Sequence, residues 1–207
     1  MKLLKKVSLC LMLALSIGVL YGCSNNASPS DFVKSEIDEI KDADDKLVSI
    51  MLKAMSAGEG EGEVEFTNEL LKQAQRLEYE ITSEDINGDE AVVTLDIHGF
   101  DLETTLVTSM TEIARVGVEQ VLAGVNTTDE ENEELVMKIM TDTVKNSDLS
   151  DRTIKVNLIK EKSSWKFANE NDLYLILFNF DPASFDYNNI DKYIDEDALY
   201  DSINEAN

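Results

Sequence analysis

The sequence predicts an α+β fold, a curved antiparallel sheet wrapped by helices. Two stretches alternate apolar and polar residues with a period of two, Leu77–Ile97 and Ile154–Phe167, which marks half-buried strands. Helical spacing dominates the blocks around them, so strands and helices are segregated rather than interleaved as βαβ units. No Rossmann or P-loop glycine pattern is present to argue for a parallel sheet.

The elements follow in order. Ser28-Pro29-Ser30-Asp31 reads as a helix start, with Ser28 as N-cap, Pro29 where no donor is lost, and Asp31 returning a bond. Val33, Ile37, Ile40, Leu47, Met51 and Met55 then recur mainly at three, four and seven residues, which predicts one long helix with Asp38, Asp42 and Asp45 on its wet side. Gly58 to Glu63 alternates glycine with glutamate and reads as a mobile loop, because glycine and charge neither pack nor hold regular backbone. A short helix is expected around Phe66 to Ala74.

Leu77, Tyr79 and Ile81 alternate with Glu78, Glu80 and Thr82, and Ala91, Val93, Leu95 and Ile97 with Thr94 and Asp96. Asn87-Gly88 between them predicts a hairpin turn. Asp85, Asn87, Asp89 and Glu90 do not make a calcium loop, since the glycine stands at the fourth place and no bidentate Glu falls at the twelfth.

Asp101 to Ala123 steps helically through Leu102, Leu106, Met110, Ile113 and Val121, and Gly124 is placed to end it. Thr128-Asp129-Glu130-Glu131 is a capping box opening a further helix, its acids early and Lys138 and Lys145 late, as the helix dipole prefers. Ile154, Val156 and Leu158, then Lys162-Ser163-Ser164, then Trp165, Lys166 and Phe167 predict a second hairpin. Leu173 to Phe178 is expected to be a buried helix with Asp172 able to cap it. Beyond Pro182 an acidic stretch carries Ile190, Tyr193, Ile194, Leu199 and Ile203 at the spacing of a weak amphipathic helix.

The first 22 residues differ from the rest: Lys2, Lys5 and Lys6 lead into a 14-residue apolar run from Val7 to Leu20. That is a secretory signal, and the run falls short of the ~20 residues a membrane-spanning helix needs. Leu20-Tyr21-Gly22-Cys23 resembles the lipobox of bacterial lipoproteins, whose cysteine takes a diacylglycerol thioether before cleavage. Tyr21 departs from the small residue usual there. The alternative is an ordinary signal cut near Ala27 or Ser28, leaving Cys23 a free thiol. The resemblance implies lipidation at Cys23, and a diacyl group anchors stably because each buried methylene contributes ~0.8 kcal/mol. Ser24 to Ser28 would tether the domain within about 20 Å of the bilayer.

Charge narrows the partners. Asp and Glu number 42 against 18 Lys and Arg, a net −24, which excludes nucleic-acid binding through phosphate neutralisation. Loss of the signal removes three lysines and no acid, giving −27, and such a surface is repelled by anionic lipid.

Cys10 leaves with the signal and Cys23 would carry lipid, so stability must come from packing rather than disulfides. With His98 the single histidine, zinc in its usual forms and Cys-His catalysis are excluded. Asn126-Thr127-Thr128 spells a glycosylation acceptor, which a bacterial signal makes irrelevant.

The order of elements, the Ala91-Val92-Val93-Thr94 strand, the Thr128 to Val144 helix, and the run Val156-Asn157-Leu158-Ile159-Lys160-Glu161-Lys162-Ser163-Ser164-Trp165-Lys166-Phe167 resemble uncharacterised lipoproteins of Gram-positive bacteria with a nuclear transport factor 2-like or cystatin-like cone. The resemblance spans about residues 30–180 and implies a fold without catalytic residues to transfer. The organisation expected is a signal at 1–22, a lipidated tether at 23–29, an α+β cone-like domain at 30–180 and an acidic extension at 181–207.

The expected function is a non-enzymatic module, moored by lipid on the outer face of the cytoplasmic membrane, that binds an envelope protein or small ligand without a cofactor. One alternative is an enzyme using a carboxylate in the cone, with Tyr79, Asp96, His98 and Trp165 as walls but none nominated as catalytic. His98 is expected to be an ordinary half-exposed strand residue. The other is a calcium or cationic-peptide sink at Asp191, Asp195, Glu196, Asp197 and Asp201.

Overall fold

The structure, a computed structural model, describes residues 27–42, 61–169, 171–181, 186 and 189–205. The signal, Tyr21 and Cys23, the positions Asp45, Leu47, Met51 and Met55, and the glycines before Glu61 lie outside the described residues.

Helix α1 (Pro29–Lys41) starts as its sequence dictates. The Ser28 hydroxyl accepts from the Asp31 amide, and Asp31 accepts from the Ser28 amide at 3.2 Å. A longer-range clamp adds to this local box: Glu84 accepts from the Ser30 amide at 2.7 Å and ties the first turn to the sheet. Val33 and Ile37 are fully buried.

Helix α2 (Glu61–Gln75) begins earlier than the glycine–glutamate pattern predicts, and Gly62 lies inside it. The reason is tertiary. A Cβ at Gly62 would stand 3.5 Å from the Met137 Cβ, an ordinary van der Waals contact, so no close approach demands the glycine; burial of Phe66, Leu70 and Ala74 along the same helix offsets its roughly 1 kcal/mol propensity cost.

Strands β1 (Glu78–Asn87) and β2 (Glu90–Phe100) pair across Gly88, which takes the left-handed φ of +67° that the turn requires. A bulge between Ile81 and Ser83 shifts the register of β1, which bends and twists a strand locally. Helix α3 (Leu102–Leu122) is capped by Asp101, and Gly124 follows at φ +67°. Its C-terminal end corrects the predicted apolar stripe, because Val121 is 78% exposed, with Leu122 and Val125 also exposed beside it.

Helix α4 (Asp129–Lys145) carries both halves of the capping box between Thr128 and Glu131. Strands β3 (Leu149–Glu161) and β4 (Ser164–Phe167) form the second hairpin, with Lys162 in the left-handed region of its turn. Helix α5 (Asp172–Phe178) is buried as expected, but Asp172 is its first residue and not its cap; Asn171 holds the cap position without a side-chain bond. A 3-10 turn (Ile190–Tyr193) and α6 (Glu196–Glu205) complete the described chain, so the single C-terminal helix suggested by spacing is two elements. Helix α6 packs on α3, and the Asp195 amide donates to the Thr111 hydroxyl at 2.9 Å.

The described residues thus form an α+β fold of six helices and one antiparallel meander, β1-β2-β3-β4. Ala91, Val93, Leu95 and Ile97 of β2 share a face with Leu158, Val156, Ile154 and Arg152 of β3, and this face meets the core. Phe66, Leu77, Phe100, Met140 and Ile176 fill the space between sheet and helices. Polar groups inside are placed to close helix ends: Gln73 donates from Nε2 to the Val144 carbonyl at 2.8 Å, and Arg76 donates to the Gln73 Oε1 at 2.6 Å. The Val144 carbonyl also accepts from the Ser147 hydroxyl at 2.7 Å, so the end of α4 is bonded both locally and to α2.

Candidate functional sites

Two concave surfaces stand out. The first is a groove of about 590 Å³ between α3, α4 and the start of β3. Asp101, Thr104, Thr105, Thr108 and Glu112 line it from α3, and Ile139, Asp142, Thr143 and Asn146 from α4. Each set repeats at three and four residues, so each helix turns one polar stripe toward the other.

Several of the hydroxyls along it are committed to backbone. Thr105 donates to the Asp101 carbonyl at 2.7 Å, Thr108 to Thr104 at 3.0 Å, and Thr143 to Ile139 at 2.8 Å. What they offer the groove is oxygen lone pairs and methyl groups. The carboxylates are engaged as well. Asp101 caps Thr104 through one oxygen and accepts from the Asn179 amide at 2.9 Å through the other. Glu112 is held by Arg115, whose hydrogen bond lowers its carboxyl below the usual range, and Asp142 is paired with Lys138. The groove is therefore rich in acceptors and suited to a ligand presenting N–H or O–H donors.

The second surface is the open face of the sheet, a shallow trough of about 660 Å³. Two rows of side chains cross three strands: Glu78, His98 and Asp151, then Glu80, Asp96 and Thr153. The imidazole Nδ1 of His98 lies 2.7 Å from Asp151, and the Thr153 hydroxyl donates to Asp96 at 2.6 Å.

The four residues considered as walls of a single cone are not brought together. Asp96 and His98 sit on the open face, while Tyr79 and Trp165 turn to the covered one, Tyr79 opposite Ile97 and Trp165 opposite Lys160. Trp165 is buried, with the Lys160 ammonium 5.3 Å from its ring centre. Tyr79 donates to Asp38 at 2.8 Å, and burial followed by that carboxylate holds its phenol above the usual range. His98 is the half-exposed strand histidine that its position in the sequence predicts.

The C-terminal acids have structural work of their own, since Asp195 accepts from the Ala198 amide at 3.0 Å and starts α6. Among the described residues, no three His, Cys, Asp or Glu side chains converge to hold a metal ion.

Three notable groups are not evident from the sequence. Arg152 lies on the covered face, donating from Nη2 to the Ile176 carbonyl at 2.7 Å, with Nε and Nη1 buried and without hydrogen-bond partners. Burial lowers its guanidinium, and Asp101 partly opposes that. Asp172 is 6% exposed with Oδ2 unpartnered, and burial raises its carboxyl. Glu36, half-buried on α1, is pushed up to about 7 by burial and by neighbouring Glu39. The polar stripe of α3 was the one signal within reach, because Asp101, Thr104, Thr108 and Glu112 repeat opposite the apolar positions.

No family model matches the chain, and no curated protein matches it. A crystal structure of a candidate lipoprotein, ycdA, from Bacillus subtilis subsp. subtilis str. 168 is similar at 16% identity and a TM-score of 0.40. The match covers 84% of this chain and 57% of that one, so this chain spans a little over half of that protein's length. A likeness this loose assigns neither a fold family nor a function. Among the described residues no helix is long and apolar enough to cross a membrane.

Proposed function

We propose that the chain is a bacterial lipoprotein, anchored through Cys23 on the outer face of the cytoplasmic membrane, whose α+β domain is a non-enzymatic binding module. The observation that carries this reading is Leu20-Tyr21-Gly22-Cys23 directly after a cationic start and a 14-residue apolar run, too short to span a bilayer. The cone-like architecture of the nuclear transport factor 2-like lipoproteins belongs to the same proposal, supported by a meander with helices against one face.

Binding is preferred over catalysis on electrostatic grounds. General acid–base work needs a carboxyl with a raised pKa inside the site. The carboxyls raised by burial, Glu36 and Asp172, line neither concave surface, whereas Asp101, Glu112 and Asp142 in the groove are held by partners as acceptors. A donor-bearing small ligand in that groove is the occupant its lining favours.

The anchor is tested in the native host by replacing Cys23 with alanine. The variant should accumulate as unprocessed precursor or leave the membrane fraction, and the wild-type chain should show a diacyl mass addition at Cys23. A processed Cys23→Ala chain that stays membrane-bound defeats the assignment.

A further inference from the structure

We propose that β1 and the open face of the sheet bind an extended cationic segment of a partner protein by strand addition. This rests on the proposed binding role and names the chemistry of the partner.

Strand β1 is an outer strand of the meander, ten residues long, or about 33 Å. Among the described residues no strand pairs with its outer side, so its outward backbone N–H and C=O groups are free to template another strand. Every residue from Thr82 to Asn87 is exposed, including Ile86 at 51%.

Charge selects the occupant. Strand β1 carries Glu78, Glu80 and Asp85 on the open face and no Lys or Arg, while its fourth acid, Glu84, is engaged with the Ser30 amide. A second copy pairing edge to edge would oppose acid to acid, which is destabilising, whereas a lysine- or arginine-bearing strand is attracted. The negative field also continues inward, where guarding the edge does not require it. Asp96 stands directly opposite Glu80 on the open face, and Asp151 lies beyond His98. Two like charges facing each other across a ladder cost stability in the free protein, and a cation bridging them removes that cost.

Register adds specificity. Side chains of an added strand alternate, one set lying over the open face beside Glu78, Glu80 and Asp85 and the other toward Tyr79, Ile81, Ile86 and the engaged Glu84. The matching segment alternates basic residues with β-branched or apolar ones.

The test uses the full chain in non-ionic detergent and an eight-residue peptide of alternating lysine and threonine. Two companion peptides are N-methylated on either the odd or the even residues, which removes one edge of hydrogen-bond donors and keeps the charge. The expected result is salt-sensitive binding of the parent peptide, slowed amide exchange within Glu78–Asn87, and at least about tenfold loss for one methylated peptide but not the other. Glu80→Gln with Asp85→Asn, both exposed, should weaken the parent by about tenfold with unchanged circular dichroism.

Absence of binding at low salt, equal binding of all three peptides, equal loss in both methylated peptides, protection confined to elements other than β1, or no effect of the double substitution each overturns the proposal. The titration does not depend on the lipid, so failure of the anchor assignment in the fractionation test leaves this result standing, and the converse also holds.

Discussion

Replacing Glu36 with glutamine should change how stability depends on pH in a direction the structure fixes. Glu36 follows the buried turn of α1 containing Val33, is half-buried beside Ile37, and has Glu39 three residues on. Its carboxyl is moved from an ordinary 4.5 to about 7, so the folded protein holds a proton that the unfolded chain has released. Stability from this group is therefore complete below about pH 4.5 and is lost as pH rises to 7.

A displacement of that size corresponds to at most about 3.4 kcal/mol. Solvent screening at a partly exposed helix position reduces it to about 1–2 kcal/mol. Glutamine keeps the shape and cannot ionise, so the variant should lack this fall in stability. Urea denaturation at pH 4.5, 5.5, 7 and 8 measures it, since taking the difference from wild type removes the contribution of the many other acids. The variant should gain about 1–2 kcal/mol on wild type across that window, which at a slope of about 2 kcal/mol/M is a midpoint shift of roughly 0.5–1 M. Glu39→Gln should act in the same direction but less, because repulsion from Glu39 is the lesser cause. A difference that stays constant from pH 4.5 to 8 would refute the reasoning.

Leu95 is fully buried between Ile81 and Ile154 at the centre of the covered face, so Leu95→Ala should cost about 2–5 kcal/mol by thermal or urea unfolding; a loss below about 1 kcal/mol would mean the helices do not seal that face. Thr128→Ala removes the hydroxyl that accepts from the Glu131 amide at 3.2 Å and should cost about 1 kcal/mol. Hydrogen exchange should place that loss in the first turn of α4, and an effect spread evenly over the domain would contradict a local cap.

Some features were legible because their causes are local. Ser28 and Thr128 could be assigned as caps since both partners of each box lie within three residues. Gly88 and Gly124 marked their turns because a left-handed backbone selects glycine. Both hairpins showed in alternation, although β3 begins at Leu149, five residues before the clear apolar pattern at Ile154.

Errors arose where a distant segment decides the outcome. The glycine–glutamate pattern around Gly62 reads as loop, yet burial of Phe66, Leu70 and Ala74 further along carries the helix back through it. Val121 fits an apolar period, yet no described element covers that end of α3 and it stays exposed. Asp172 reads as a cap in the sequence, but its place against the sheet buries it, with a hydrogen bond to the Asn157 backbone.

By itself the sequence determined the strong negative charge, the α+β class and most element starts, and it carries the cationic start, apolar run and cysteine on which the proposed anchor rests. Each of these is written in composition or in contacts between residues a few positions apart. The tertiary structure alone decided which faces meet. It set the polar stripes of α3 and α4 against one another across a groove, turned Asp96 and His98 away from Tyr79 and Trp165, and left β1 as an outer strand with Glu80 facing Asp96. The physical reason is that burial and cross-strand pairing depend on residues brought together from far along the chain, and periodicity gives each element its faces without saying what lies opposite them.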